Sequence, residues 1–362
     1  MFARVATVFR GGRPESWHFG AAAVVTPEGR TVARLGDPFA LETATYLRSA
    51  AKPFQVLPLL LAGGAERFGL TPADLALVCA SHSGTAEHTA RARSLLERGG
   101  FAVEDLLCGA HPPFDRETAE ALARRGEAPS PLHNNCSGKH AGMLLACRLL
   151  DLPTADYVAP EHPLQQRILE HLSSLCGIER RAVGLGVDGC SVPAFHMPVA
   201  AAARGYAALA DPEAALAPAP PSSPVAAALR QIFRAMTSEP GMVAGPGRFT
   251  TDLMAATGGR VLGKEGAEGF YAVAVRGPVA LGIAVKIADG GERARNGVVL
   301  DLLREMGSLS GEEFARLEEH YRPIVRNCRG LEVGEICPEV ELEEVELEAA
   351  ELGKLELKEC VD

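Results

Sequence analysis

Apolar and polar positions divide the chain into strand-like ends and a helical middle. Ala3 to Phe9 and His18 to Thr26 read as strands, with a Gly-Gly turn at Gly11-Gly12 between them. Pro27-Glu28-Gly29 turns the chain into Arg30 to Arg34, which predicts an N-terminal antiparallel unit. Ala50 to Leu61 is almost wholly apolar and reads as a buried helix. Within it the Pro53 ring would clash with the Ser49 carbonyl, so Pro53 belongs in the first turn and Ser49 at the helix start. Helical spacing recurs over Glu87 to Arg98, Arg116 to Arg125, Ala141 to Leu150 and Leu164 to Leu175. Thr71-Pro72-Ala73-Asp74 is a helix start, with threonine as cap and proline at the first position.

Pro218 to Pro224 reads as a surface loop. Phe270 to Val275 and Val279 to Lys286 form a predicted hairpin across Arg276-Gly277-Pro278, and Ala294 to Met306 a helix. Glu339 to Lys358 partly alternates charged and apolar residues, which suits either an edge strand or a disordered tail. The predicted class is α/β of the α+β type. One antiparallel sheet is built from both termini around a helical insertion spanning about residues 60–250. The expected organisation is a single catalytic domain over 1–335 and an acidic C-terminal extension over 336–362.

Composition narrows the function classes. With 362 residues and 47% hydrophobic content the chain can bury a sizeable core. Of the net charge of −10, the stretch from Pro338 to Asp362 carries −8, from ten acidic residues and two lysines. The remainder is near −2, with no basic surplus for nucleic acid. No apolar run is long enough to span a membrane. Met1 to Arg13 lacks an apolar signal core, so a cytoplasmic protein is expected. Nine cysteines, odd in number and scattered, fit free buried thiols better than a disulfide framework.

Five segments carry candidate chemistry. Ser49 and Lys52 lie three residues apart, a spacing that puts both side chains on one helical face. A neutral amine there can accept the serine proton, although a helix cap and a solvated lysine are the ordinary outcome of such a motif. Cys79-Ala80-Ser81-His82-Ser83-Gly84 offers a second hydroxyl in a turn, and Gly263-Lys264-Glu265-Gly266 reads in isolation as a turn carrying an amine. The order Ser-x-x-Lys, middle hydroxyl, Lys-x-Gly is similar to the serine β-lactamase and penicillin-binding plan. His133 to His140 and Gly186 to Pro193 each place a cysteine, Cys136 and Cys190, in a Gly- and Ser-containing segment. Two thiolates could hold a soft divalent metal, but without a C-x-x-C pair buried free thiols are the simpler expectation.

Taken together, several motifs occur in a recognisable order. They are Glu15-Ser16-x-His18-x-Gly20, Arg48-Ser49-Ala50-Ala51-Lys52-Pro53, Ser81-His82-Ser83-Gly84, Asn134 to His140, His162-Pro163-Leu164-Gln165-Gln166, Asp188-Gly189-Cys190 and Gly263 to Gly266. The chain resembles the asparaginase II family, the Rhizobium-type inducible L-asparaginases, from about residue 5 to 335. The resemblance implies a fold like that of serine β-lactamases and glutaminases, and hydrolysis of L-asparagine to L-aspartate and ammonia. It implies two Ser-Lys pairs, Ser49 with Lys52 and Ser81 with Lys264. It further implies zinc at Cys136, Lys139 and Cys190, substrate contacts at Arg48 and Asp188, and a homodimer. Phe249-Thr250-Thr251-Asp252 lacks a cysteine that some relatives carry nearby, and the acidic tail has no recognised counterpart. The rival expectations are a β-lactam- or peptidoglycan-directed acyl-transfer enzyme, which the absent signal core disfavours, and a non-catalytic amino-acid- or metal-binding protein of the same fold.

Overall fold

The computed structural model describes residues 1–220 and 222–345. Strands β1 (Ala3–Arg10) and β2 (Arg13–Val25) meet at Gly11-Gly12, and β3 (Thr31–Leu35) returns beside the far half of β2. Three short strands, β4 (Ala44–Tyr46), β5 (Gly184–Val187) and β6 (Pro193–Pro198), form a small separate sheet in the order β4-β6-β5. The C-terminal part supplies β7 (Val261–Glu265), β8 (Phe270–Val275), β9 (Leu281–Ile287), β10 (Ile324–Arg326), β11 (Glu332–Pro338) and β12 (Glu343–Glu344). The main sheet runs β10-β11-β1-β2-β9-β8-β7, with β3 between β2 and β12, and every pairing is antiparallel. Both termini therefore build one sheet, and helices fill the sequence between them.

Alternation along the central strands sorts side chains onto two faces. Ala23, Ala272, Ala274 and Ala284 join the core shared with the helical region. Val24, Val273, Ile283 and Val285 join a second core with Val298 and Leu302 of helix Glu292–Glu305. The small residues on the first face let the alanine-rich helix Val199–Ala210 lie close against the sheet. Gly282 marks the nearest approach: a β-carbon there would stand 2.0 Å from the Ala203 carbonyl oxygen.

Several helices follow the expected spacing, as over Arg116–Arg125, Ala86–Gly99 and Pro163–Cys176. Thr71 caps Pro72–Val78 reciprocally with Asp74. The expected single helix over Ala50 to Leu61 is instead three pieces: a 3₁₀ turn Arg48–Ala51, then Lys52–Gln55 and Leu57–Leu61. Pro53 and Pro58 each open a new segment, because a proline nitrogen cannot donate to the preceding turn.

Gly263 to Glu265 is also not a turn but part of β7 at the sheet edge, paired with β8. β11 runs through residue 335 and pairs Ile336, Cys337 and Pro338 with β1. Within Glu339 to Lys358, Glu343 and Glu344 form an edge strand on β3, while the part from residue 346 lies outside the described residues. Pro221, in the expected loop, also lies outside them.

Candidate active site

Ser81 sits in the extended segment after helix Pro72–Val78, its amide donating to the Val243 carbonyl at 2.9 Å. Its Oγ meets two buried amines, Lys52 Nζ at 2.9 Å and Lys264 Nζ at 2.8 Å. Lys52 Nζ also donates to the carbonyls of Ala80 at 2.6 Å and Asn135 at 3.4 Å. Lys264 Nζ has one further partner, the Glu265 carbonyl at 3.0 Å. Burial pushes the Lys264 amine down to about 7; Glu265 opposes this, and the nearby Lys52 and Arg248 charges add to it.

Ser49 is half-buried and lines, with Ser81, a cleft of about 480 Å³. Its side chain makes no hydrogen bond among the described residues. Arg48, just before it, has φ 50°, a left-handed conformation that costs a non-glycine residue about 1 kcal/mol or more. The pairing implied by the family resemblance is half present. Lys264 is bonded to Ser81, but Lys52 bonds Ser81 rather than Ser49. The reason is that the inward-pointing Lys52 amine finds carbonyl acceptors at Ala80 and Asn135, whereas Ser49 lies on the cleft wall.

Arg48 and Asp188 form an ion pair at 2.9 Å, and neither lines the cleft. Burial raises the Asp188 carboxyl, yet Lys139 and Arg48 bring it below its ordinary value. Nearby, Lys139 Nζ stands 2.8 Å from Cys190 Sγ, and all of Cys136, Lys139 and Cys190 are buried. A hydrogen bond from Cys190, with the charges of Lys52 and Lys139, holds the Cys136 thiol well below its usual value. Donating that bond, together with burial, raises Cys190. Two sulfurs thus meet with an acidified thiol between them, a donor pair that fits a soft divalent cation. Burial lowers the neighbouring Lys139 amine, but Cys136 and Cys190 hold it above its ordinary value, so it would have to give up a proton to join them as a ligand. Gly138 allows this corner to form: a β-carbon there would lie 2.4 Å from the Leu77 carbonyl oxygen of the neighbouring helix.

Sequence reasoning missed the charged wall of the cleft. Glu265 is ion-paired with Arg248, and its other oxygen lies 3.6 Å from Arg295. Burial pushes the Glu265 carboxyl up, but Lys264, Arg248 and Arg295 bring it below its ordinary value. Arg248 also donates to the Ser81 carbonyl at 3.2 Å. One signal was legible: Arg295 stands on the same helical stripe as the apolar Val298, Val299 and Leu302. Within Phe249-Thr250-Thr251-Asp252, buried Thr250 bonds the Tyr271 hydroxyl at 2.9 Å. Asp252, Glu319 and His320 are the single group of three His, Cys, Asp or Glu residues close enough for an ion among the described residues, and His320 reaches the cleft. A more open hollow of about 630 Å³, lined by Leu169, Glu179, Arg180, Arg181, Val183 and Leu185, holds no nucleophile.

Comparison with known proteins agrees with the motif order. No curated protein matches the chain. Among solved structures, the crystal structure of Mglu in its native form is 16% identical with a TM-score of 0.42, over 81% of this chain and 66% of that one. The structure of Mglu in its native form in 4.3 M NaCl is 17% identical with a TM-score of 0.35, over 81% and 62%. The chain thus spans just under two thirds of the length of these solved proteins. The family described as L-asparaginase II matches residues 6–338, nearly the whole sequence. The chain belongs to the L-asparaginase II family.

Proposed function

We propose that the protein is an L-asparagine amidohydrolase that works through a serine acyl-enzyme. The observation that carries this reading is the meeting of two buried lysine amines on Ser81 Oγ beside a second serine, Ser49, in one cleft. Ser49 is the attacking residue. Its hydroxyl has no hydrogen-bond partner among the described residues, it lines the cleft, and it follows the strained Arg48. Ser81 is buried under both lysines and serves as the relay. Substrate entry brings the Ser49 hydroxyl onto the Lys52, Ser81 and Lys264 set, which takes its proton as Oγ bonds the side-chain amide carbon. The proton then passes to the amide nitrogen, the C–N bond breaks, and ammonia leaves. Water attacks the resulting ester, Ser49 regains its proton, and L-aspartate departs.

Cys136, Lys139 and Cys190 are the residues that would hold zinc. A bound divalent cation there would supply positive charge next to the Asp188 turn. Eight described cysteines are free, which supports a cytoplasmic setting. Among the described residues no helix is long and apolar enough to cross a membrane. The family resemblance supports a homodimer. The test is ammonia release from L-asparagine by the purified protein, alongside labelling with a fluorescent penicillin. Ammonia without labelling supports the reading; labelling without ammonia transfers the chain to the β-lactam-directed class.

A further inference from the structure

Beyond the two serines and their lysines, the cleft has a charged wall for which the acyl-transfer chemistry has no use. Arg248, Glu265 and Arg295 all line it. Two guanidiniums there share one buried carboxylate, and Glu292, the remaining acid near Arg295, is largely exposed on the rim. Glu292 also lines the cleft, so the two guanidiniums are matched by two carboxylates, and what the wall offers a ligand is the guanidinium donors that these acids leave unspent.

The two arginines are not equivalent. Arg295 is buried, and its groups are taken up by Asn296, Gly266, Glu265 and Glu292. Arg248 is 26% exposed. It spends one N–H on the Ser81 carbonyl and one on Glu265, and its other N–H groups have no hydrogen-bond partner among the described residues. A guanidinium has five such donors in a fork that matches a carboxylate. Glu265 on one side, itself held by Arg295, and Ser81 on the other fix how that fork is presented. Phe114 lies beside it, its ring centroid 5.6 Å from the guanidinium carbon.

We propose that Arg248 is the anchor for the substrate's α-carboxylate, so that the cleft selects free amino acids over amides whose α-carboxylate is blocked or lies within a peptide. The inference rests on the amidohydrolase reading for the identity of the substrate. Arg248 also touches the backbone of the serine that both lysines hold, so recognition and proton transfer meet at Ser81.

Calorimetric binding of two ligands tests the anchor without turnover. L-Aspartate and its α-amide, isoasparagine, share a side chain and differ at the α-carboxylate. The wild-type protein is expected to bind L-aspartate about 10- to 100-fold more tightly, the range for a charge-assisted hydrogen-bonded contact. Arg248→Gln is expected to bring the ratio near one, and Arg248→Lys to keep part of it. Equal binding of the two ligands by wild type, no binding of L-aspartate, or an unchanged ratio in folded Arg248→Gln each overturns the proposal. If Arg248→Gln does not fold, the wild-type ratio and Arg248→Lys decide: a ratio undiminished by lysine, which lacks the planar fork, also overturns it. Ammonia release is scored separately. A protein that discriminates through Arg248 yet releases no ammonia keeps the anchor and loses the amidohydrolase reading, and the reverse result loses the anchor alone.

Discussion

Lys264 Nζ lies 2.8 Å from Ser81 Oγ, with the lysine fully buried and the serine nearly so. An amine in that position is poorly solvated as an ammonium and faces a second amine, from Lys52, across the same oxygen. It is therefore available as a proton acceptor near neutral pH.

The first consequence is a pH profile. A lysine base works when deprotonated, so kcat/KM should rise with pH through about 7, the value to which burial brings Lys264, and level off above it. Below that pH the amine is protonated and activity falls. Lys264→Gln should abolish this limb together with most of the activity. A wild-type profile flat from pH 6 to 8 would count against Lys264 as the base.

The two serines should separate in an acyl-trapping experiment. Rapid acid quench of enzyme mixed with L-asparagine, then peptide mass mapping, should place the aspartyl ester on Ser49. Ser49→Ala should lose about 10³-fold or more in kcat and form no ester, as expected on removal of a nucleophile that acts in concert with its base. Ser81→Ala should slow ester formation while leaving Ser49 as its site. An ester on Ser81, or near-normal turnover in Ser49→Ala, would reverse the assignment.

The metal corner predicts binding before chemistry. Wild-type protein equilibrated with zinc should retain the ion through gel filtration, and Cys136→Ala or Cys190→Ala should not. Chelation should weaken substrate affinity more than turnover, because the corner reaches the Ser81 oxygen only through Lys52, which interacts with Cys136 and bonds Ser81 Oγ. Loss of all turnover on chelation, with the fold intact by circular dichroism, would give the ion a role in the chemical step.

Stability should depend on the closeness of the helix Val199–Ala210 to the sheet. Gly282→Ala puts a methyl group against helix backbone at 2.0 Å, and overpacking of this kind costs about 1–3 kcal/mol. Denaturant unfolding should show a lower midpoint with an unchanged slope. An unaltered midpoint would mean that the helix moves aside freely.

Local pattern by itself determined much of this protein. Strand alternation at both ends and helical spacing between them gave the antiparallel sheet and its helical insertion, since period and turn chemistry are local properties. Thr71 as a cap and Arg116–Arg125 as a helix were legible for the same reason. Motif order was enough to bring Ser49, Lys52, Ser81 and Lys264 into view and to identify the family. Tertiary structure decided what spacing could not. Two prolines split the first long helix, turning Lys52 towards the carbonyls of Ala80 and Asn135, so its serine partner is Ser81 and not Ser49. The Lys264 segment, a turn by composition, became an edge strand because β8 was there to pair with it. Arg248, Glu265 and Arg295 come from three separate elements, and their shared charge balance exists only where the fold brings them into one cleft. A burial-shifted amine and a charged wall are properties of distances between remote residues, and distances of that kind are set by packing.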